Sequence, residues 1–122
     1  MTGAPVTTEE LARRRGEPGL ELIDVRTEAE YSGAAGYPCD PRQGHIPGAH
    51  NIDHAILLEL SPEEVRDVVG LPEGSEVIAY CHSGSRSAMA TAALRAAGYE
   101  ARNYEGSWHE WSRRDDLPIE TG

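Results

Sequence analysis

Glu76-Val77-Ile78-Ala79-Tyr80-Cys81-His82-Ser83-Gly84-Ser85-Arg86-Ser87 runs directly into Ala88-Met89-Ala90-Thr91-Ala92-Ala93-Leu94-Arg95-Ala96-Ala97-Gly98. Val77 to Tyr80 is a short apolar, β-prone run of the kind that forms a buried strand. From Ser87 to Ala97 nearly every residue favours helix, Ser87 is expected to cap the start, and Gly98 is the usual residue just past an end. The unit reads as strand, tight loop, helix. Cys81 stands at the strand's carboxyl end, and the loop Cys81 to Arg86 must turn at once into the helix amino terminus. Its N–H groups can then surround the sulfur, with the positive end of the helix dipole behind them. Such a cradle binds anions and favours thiolate, the nucleophilic form, over thiol. The polar residues Ser83, Gly84, Ser85 and Arg86 speak against a merely structural buried cysteine. Arg86 is expected to act through its charge on an anionic substrate.

The same alternation continues on either side. Thr7 or Thr8 caps a helix to about Arg15 with Glu9 and Glu10 in its first turn, and Leu20 to Val25 forms a strand that sets Asp24 and Arg26 near its end. Ligands of open α/β sheets bind at strand carboxyl ends, which makes Arg26 a possible substrate contact and Asp24 its structural support. Thr27 caps a short helix through Tyr31. Residues from Ser32 to Gly44 have no period and read as a loop, which Pro47-Gly48 and a short strand near His50 to Ile52 follow. Ala55 to Leu60 is a short helix. Ser61-Pro62-Glu63-Glu64 is a capping-box start for another, with Val65, Val68 and Val69 on its apolar face. Glu100 to Tyr104 is a further strand, and Ser107 caps a last helix whose Trp108 and Trp111 share one face in the core. Helices alternating with strands imply a mostly parallel sheet covered on both faces.

With 122 residues, 39% of them hydrophobic, the chain has room for one core, so a single domain over residues 1–122 is expected. The net charge of −10 opposes a nucleic-acid partner. No run is apolar enough to span a membrane and the first residues lack a signal-peptide layout, so the expected address is the cytoplasm, with no membrane partner. The two cysteines, Cys39 and Cys81, form neither a metal-spaced pair nor a dithiol motif. Cys39 lies in the aperiodic loop and is expected to be a spectator. His45, His50 and His54 lack the cysteine or acidic ligands that would make them a metal site, so neither metal nor cofactor is expected.

Four stretches together carry a resemblance: Ile23-Asp24-Val25-Arg26, Gly44-His45-Ile46-Pro47-Gly48-Ala49-His50-Asn51, Cys81 to Ser87, and Asn103 to Trp111. In this order they resemble the rhodanese (sulfurtransferase) family, over roughly residues 20–120, and the last is similar to the end of the catalytic half of two-domain thiosulfate and mercaptopyruvate sulfurtransferases. The resemblance implies a rhodanese-like α/β domain with a five-stranded, mostly parallel sheet. It also implies that Cys81 takes a sulfur atom from a small anionic donor such as thiosulfate. The acceptor would be cyanide, a thiol or a protein. The loop His82, Ser83, Gly84, Ser85, Arg86 and Ser87 would bind the anion. Where two-domain thiosulfate enzymes place Arg and Lys after the cysteine, this chain has His82 and Ser83, and Glu30 stands where they often carry a second Arg. Two other readings remain. A noncatalytic or sulfur-carrying rhodanese module would bind a partner protein, though the usual mark of a noncatalytic one is loss of the cysteine. A cysteine phosphatase of the same fold needs five residues between Cys and Arg, whereas four separate Cys81 from Arg86.

Overall fold

A computed structural model of the chain describes residues 3–122. Four parallel strands, β1 (Leu20–Asp24), β2 (His50–Asn51), β3 (Glu76–Tyr80) and β4 (Glu100–Asn103), lie in the order β2-β1-β3-β4. The register pairs Leu20 with Glu76 and Glu76 with Glu100, so β1, β3 and β4 start level and their carboxyl ends share one edge. The expected fifth strand is absent among the described residues. Val6 stands beside Tyr104 in an isolated parallel bridge, donating its N–H to the Asn103 carbonyl at 2.9 Å. Its neighbour Pro5 has no N–H, and the chain enters helix α1 (Thr8–Arg14) two residues later, so the pairing stops at one residue.

Period-two alternation sends successive strand residues to opposite faces. Leu20, Leu22, Ile78 and Tyr80 pack with Leu11 of α1 and with Trp108 and Trp111 of α6 (Ser107–Trp111). Ile23, Val77, Ala79 and Cys81 pack on the other face with Leu57 of α3 (His54–Glu59), Val65 of α4 (Pro62–Val69) and Ala90 and Leu94 of α5 (Ser85–Ala96). Helix α2 (Glu28–Ser32) follows β1. The caps form largely as their sequences direct. Thr7 accepts the Glu10 N–H, and the boxes Thr27/Glu30 and Ser61/Glu64 are both complete. Among the described residues no helix is long and apolar enough to cross a membrane.

Asp24 and Arg26 form a pair with almost no exposure, at 0% and 1%. The Asp24 carboxylate accepts the Arg26 backbone N–H at 2.9 Å, Nε at 3.0 Å and Nη2 at 2.7 Å, while Nη2 also donates to the Gly44 carbonyl at 2.6 Å. The guanidinium lies 5.0 Å from the Trp108 ring centre. Burial opposes its charge, but the bonds to Asp24 outweigh that and raise its pKa. Arg26, read from sequence as a possible substrate contact, is therefore turned inward, where it ties the end of β1 to the loop at Gly44. Removing one partner of such a pair strands a buried charge. Arg26→Ala is expected to lose about 3–5 kcal/mol of stability in urea unfolding, and a loss under about 1 kcal/mol would show that the pair is not what holds this corner.

Candidate active site

Helix α5 has no side-chain cap: its N-cap is Gly84, in the left-handed region at φ 97°. The acceptor for its first amides is the Cys81 sulfur. Sγ accepts the Gly84 N–H at 3.1 Å and the Ser87 N–H at 3.4 Å, and the Ser87 hydroxyl lies 3.4 Å away. Ser87, expected to cap this helix, lies in its first turn instead and directs its hydroxyl at the sulfur. A glycine is required at 84 for two reasons. Its φ is unfavourable to other residues, and a Cβ there would stand 2.7 Å from the Glu105 carbonyl oxygen.

The loop's carbonyls are held from the other side. The Trp108 N–H donates to the Cys81 carbonyl and the His109 N–H to the His82 carbonyl, both at 2.9 Å. Asn103 Nδ2 donates to the Gly84 carbonyl at 3.1 Å. Ser107, by its sequence position a cap for α6, takes φ 55°, where its hydroxyl accepts the Cys81 N–H at 3.0 Å and donates to the Tyr104 carbonyl at 2.8 Å. A serine in the left-handed region is strained, and these two bonds are what hold it there.

The Cys81 side chain has no exposed surface, and burial pushes its thiol pKa up. The Ser87 hydroxyl and the amides of Ser87, Gly84 and Ser83 more than offset that, so the net shift is downward, toward easier ionisation. His82 is held below its ordinary value, chiefly by burial, and stacks on Tyr37 with ring centres 3.7 Å apart.

Arg86 does not face an open site as a free cation. Its two terminal nitrogens donate to the two Glu30 oxygens at 2.8 and 3.0 Å, a bidentate pair between α5 and α2. Burial works against the Glu30 charge, but Arg86 and the Thr27 amide hold its pKa down at about 2. Beside the pair lies a depression of about 260 Å³ bounded by Glu30, Gly36, Tyr37 and Pro38. A larger cavity, about 460 Å³, is lined by Leu11, Pro18, Leu20, Leu22, Pro47 and Ile78 and contains no cysteine or histidine. Sequence reasoning missed the Arg86–Glu30 pair, and the capping box Thr27/Glu30 was the available signal, since it fixes where the Glu30 side chain begins.

The three histidines near the turn do not converge. His45 stacks on Tyr31 with ring centres 3.7 Å apart, His50 sits by Glu21 and His54 by Asp53. Arg42 instead gathers the long loop: its guanidinium donates to the carbonyls of Arg114 at 2.6 Å, Leu117 at 2.9 Å and Ser112 at 3.1 Å.

The sequence pattern of the rhodanese-like domain matches residues 7–114. The chain belongs to that family. It is 37% identical over 118 residues to a thiosulfate sulfurtransferase of Corynebacterium glutamicum, covering 85% of this chain and 39% of that protein. It is 35% identical over 117 residues to the sulfur carrier protein TtuD of Thermus thermophilus, covering 83% of this chain and 41% of that protein. A crystal structure described as a probable thiosulfate sulfurtransferase superposes with a TM-score of 0.82 at 46% identity, covering 95% of this chain and 47% of that one. The chain thus spans less than half the length of these relatives.

Two outcomes test the site's electrostatics. With the folded Glu30 pKa at about 2 against an ordinary 4.5, the ionised carboxylate stabilises the rhodanese-like fold fully above about pH 4.5, and that stability is lost as pH falls toward about 2. Glu30→Gln should cost up to about 3 kcal/mol near neutrality, with the difference from the parent shrinking as urea unfolding is repeated at falling pH. A pH-independent difference would contradict the ion pair. Ser87→Ala should raise the pH at which the Cys81 thiol ionises, followed by its ultraviolet absorbance; an unchanged midpoint would remove the hydroxyl from the argument.

Proposed function

We propose that this rhodanese-like domain is a sulfurtransferase that moves a sulfane sulfur from a small anionic donor such as thiosulfate to a thiophilic acceptor, through a persulfide on Cys81. The observation that carries this is the sulfur seated among the amides at the amino terminus of α5. The Cys81 thiolate attacks the outer sulfur of thiosulfate. A new S–S bond forms as the donor's own S–S bond breaks, and sulfite leaves with the electron pair. Charge is conserved, because a thiolate and a dianion give a persulfide anion and a dianion. Cyanide, a thiol or a protein acceptor then attacks the outer sulfur, and the thiolate returns. The amides of Ser83, Gly84 and Ser87 already point at Sγ, so little reorganisation is needed when the thiolate is regenerated. Because Cys81 has no exposed surface, side chains at the mouth must give way before a donor arrives. A free thiol nucleophile of this kind suits the reducing cytoplasm.

A phosphatase reading is disfavoured by the same geometry. The loop is one residue short, and the guanidinium that would clamp a phosphate is held by both Glu30 oxygens. The sulfur-carrier reading differs from the enzyme only after loading, since a carrier keeps its sulfur until a protein acceptor arrives.

Thiosulfate treatment should raise the intact mass by one sulfur, and cyanide should remove it with formation of thiocyanate. Cys81→Ser should take up none, whereas Cys39→Ser should match the parent. Uptake by Cys81→Ser would place the chemistry elsewhere. A loaded protein inert to cyanide and to small thiols would favour the carrier, and aryl phosphate hydrolysis faster than sulfur transfer would favour the phosphatase.

A further inference from the structure

Among the described residues, the one group of three or more candidate metal-binding side chains whose donor atoms converge is Cys39, Asp40, His82 and His109, with the atoms all within 4.8 Å of one another. Three elements meet there: the loop before Gly44, the residue following Cys81, and helix α6. We propose that these four side chains form a binding site for a zinc-type divalent cation, distinct from the sulfur cradle.

The separations fit one ion. His82 Nε2 lies 2.9 Å from Asp40 Oδ2, His109 Nδ1 lies 3.3 Å from Asp40 Oδ1, and Cys39 Sγ lies 3.8 Å from Asp40 Oδ1. Ligands at zinc distances on a tetrahedron are about 3.3–3.7 Å apart, so a set spread within 4.8 Å closes with shifts of up to about 1 Å, which rotation of the exposed Cys39 and His109 side chains can supply. One thiolate, two imidazoles and a carboxylate are a donor set that suits zinc rather than calcium or magnesium.

A second observation points the same way. The Asp40 side chain is 1% exposed, and its Oδ2 makes no hydrogen bond, nor does His82 Nε2, although the two stand 2.9 Å apart. Contact without hydrogen-bond alignment leaves two buried polar atoms unsatisfied, which is costly unless something else coordinates both. A cation between them does so. The entry path is the open side, where Cys39 is exposed and the His109 side chain is 46% exposed.

Arg113 is the competitor. Its Nη1 lies 3.0 Å from Asp40 Oδ1 and 3.2 Å from His109 Nδ1, so a guanidinium partly fills the role of the cation. Its guanidinium also donates to the His109 carbonyl and, through Nη2 at 2.6 Å, to the Cys39 carbonyl, and its side chain is 39% exposed, so binding a cation exchanges these contacts for solvent. Exchange of Arg113 for a dication balances the charge, because binding ionises Cys39 and the two anions then face two positive charges. Bound metal would fix His82 and hence the first residue after Cys81. That consequence rests on the sulfurtransferase reading; the binding itself does not.

The probe is Co²⁺, titrated into Cys81→Ser, where Cys39 is the only thiol, and in parallel into the unaltered protein. One equivalent should bind with a thiolate-to-cobalt charge-transfer band and tetrahedral visible bands, and Zn²⁺ should displace it one for one. In the Cys81→Ser background, Cys39→Ser should abolish the charge-transfer band. Asp40→Asn and the more exposed His109→Gln should each weaken binding at least about tenfold, since even outer-shell partners of a metal are worth that much. Arg113→Gln should tighten it. Circular dichroism confirms that each variant is folded, and His109→Gln carries the test if Asp40→Asn is not. Absence of the band in Cys81→Ser and the unaltered protein alike, or equal binding by Cys39→Ser, His109→Gln and the parent, overturns the site, whatever the result for sulfur transfer.

Discussion

The amino terminus of α5 has amides to satisfy and no side-chain cap, so a sulfur atom accepts them. That constraint organises much of the molecule. A thiolate accepts these bonds better than a thiol, so the cap and the proposed nucleophile are one group. The sulfur must enter from a strand end, which demands parallel strands whose carboxyl ends share an edge. The turn from strand to helix is so short that position 84 needs a left-handed glycine packed against the Glu105 backbone. The loop's carbonyls, facing the other way, draw in α6 through Trp108 and His109 and fix Ser107 in an unfavourable conformation.

Charge is managed by pairing. The chain has eleven arginines and no lysine, and the planar arginine fork matches a carboxylate in two bonds. Around the sulfur, Arg26 is bound to Asp24, Arg86 to Glu30, and Arg113 to Asp40. None of these three is a free cation in a chain of net charge −10. In the proposed reaction, selection of the anion therefore falls to oriented amides and the helix dipole, which no carboxylate can neutralise through a salt bridge. Arg86, read from sequence as the charge that attracts the donor, is more fully a clamp between α2 and α5.

What was legible in the chain was local. Short apolar runs gave β1 and β3, Thr27 as a cap gave α2, the capping box Ser61/Glu64 gave α4, and the order strand, loop, helix placed Cys81 at the sheet edge. What was not legible lay between residues far apart. Glu30 and Arg86 are 56 positions apart and Arg113 and Asp40 are 73 apart, and no spacing rule reaches across such distances. The serines misled for a different reason. Ser87 and Ser107 both satisfy the compositional rule for helix caps, but each hydroxyl serves Cys81, Ser87 at the sulfur and Ser107 at the amide. Propensity describes a serine's local options, and the buried cysteine settles which one is used.

In the proposed cycle the charge moves while the cradle stays. Sulfur transfer leaves Sγ uncharged and carries the negative charge one S–S bond outward, about 2 Å. The amides of Gly84 and Ser87, now 3.1 and 3.4 Å from Sγ, then face a neutral atom unless the outer sulfur bends back over them. The Ser87 hydroxyl has a choice the amides lack, because it also lies 3.2 Å from the Gly84 carbonyl and can turn its proton there when Sγ no longer attracts it. The resting geometry is thus complementary to the thiolate rather than to the persulfide. A cradle biased in that direction helps the second transfer, in which Sγ leaves as the anion, more than the first, and the acceptor's attack is the step it accelerates.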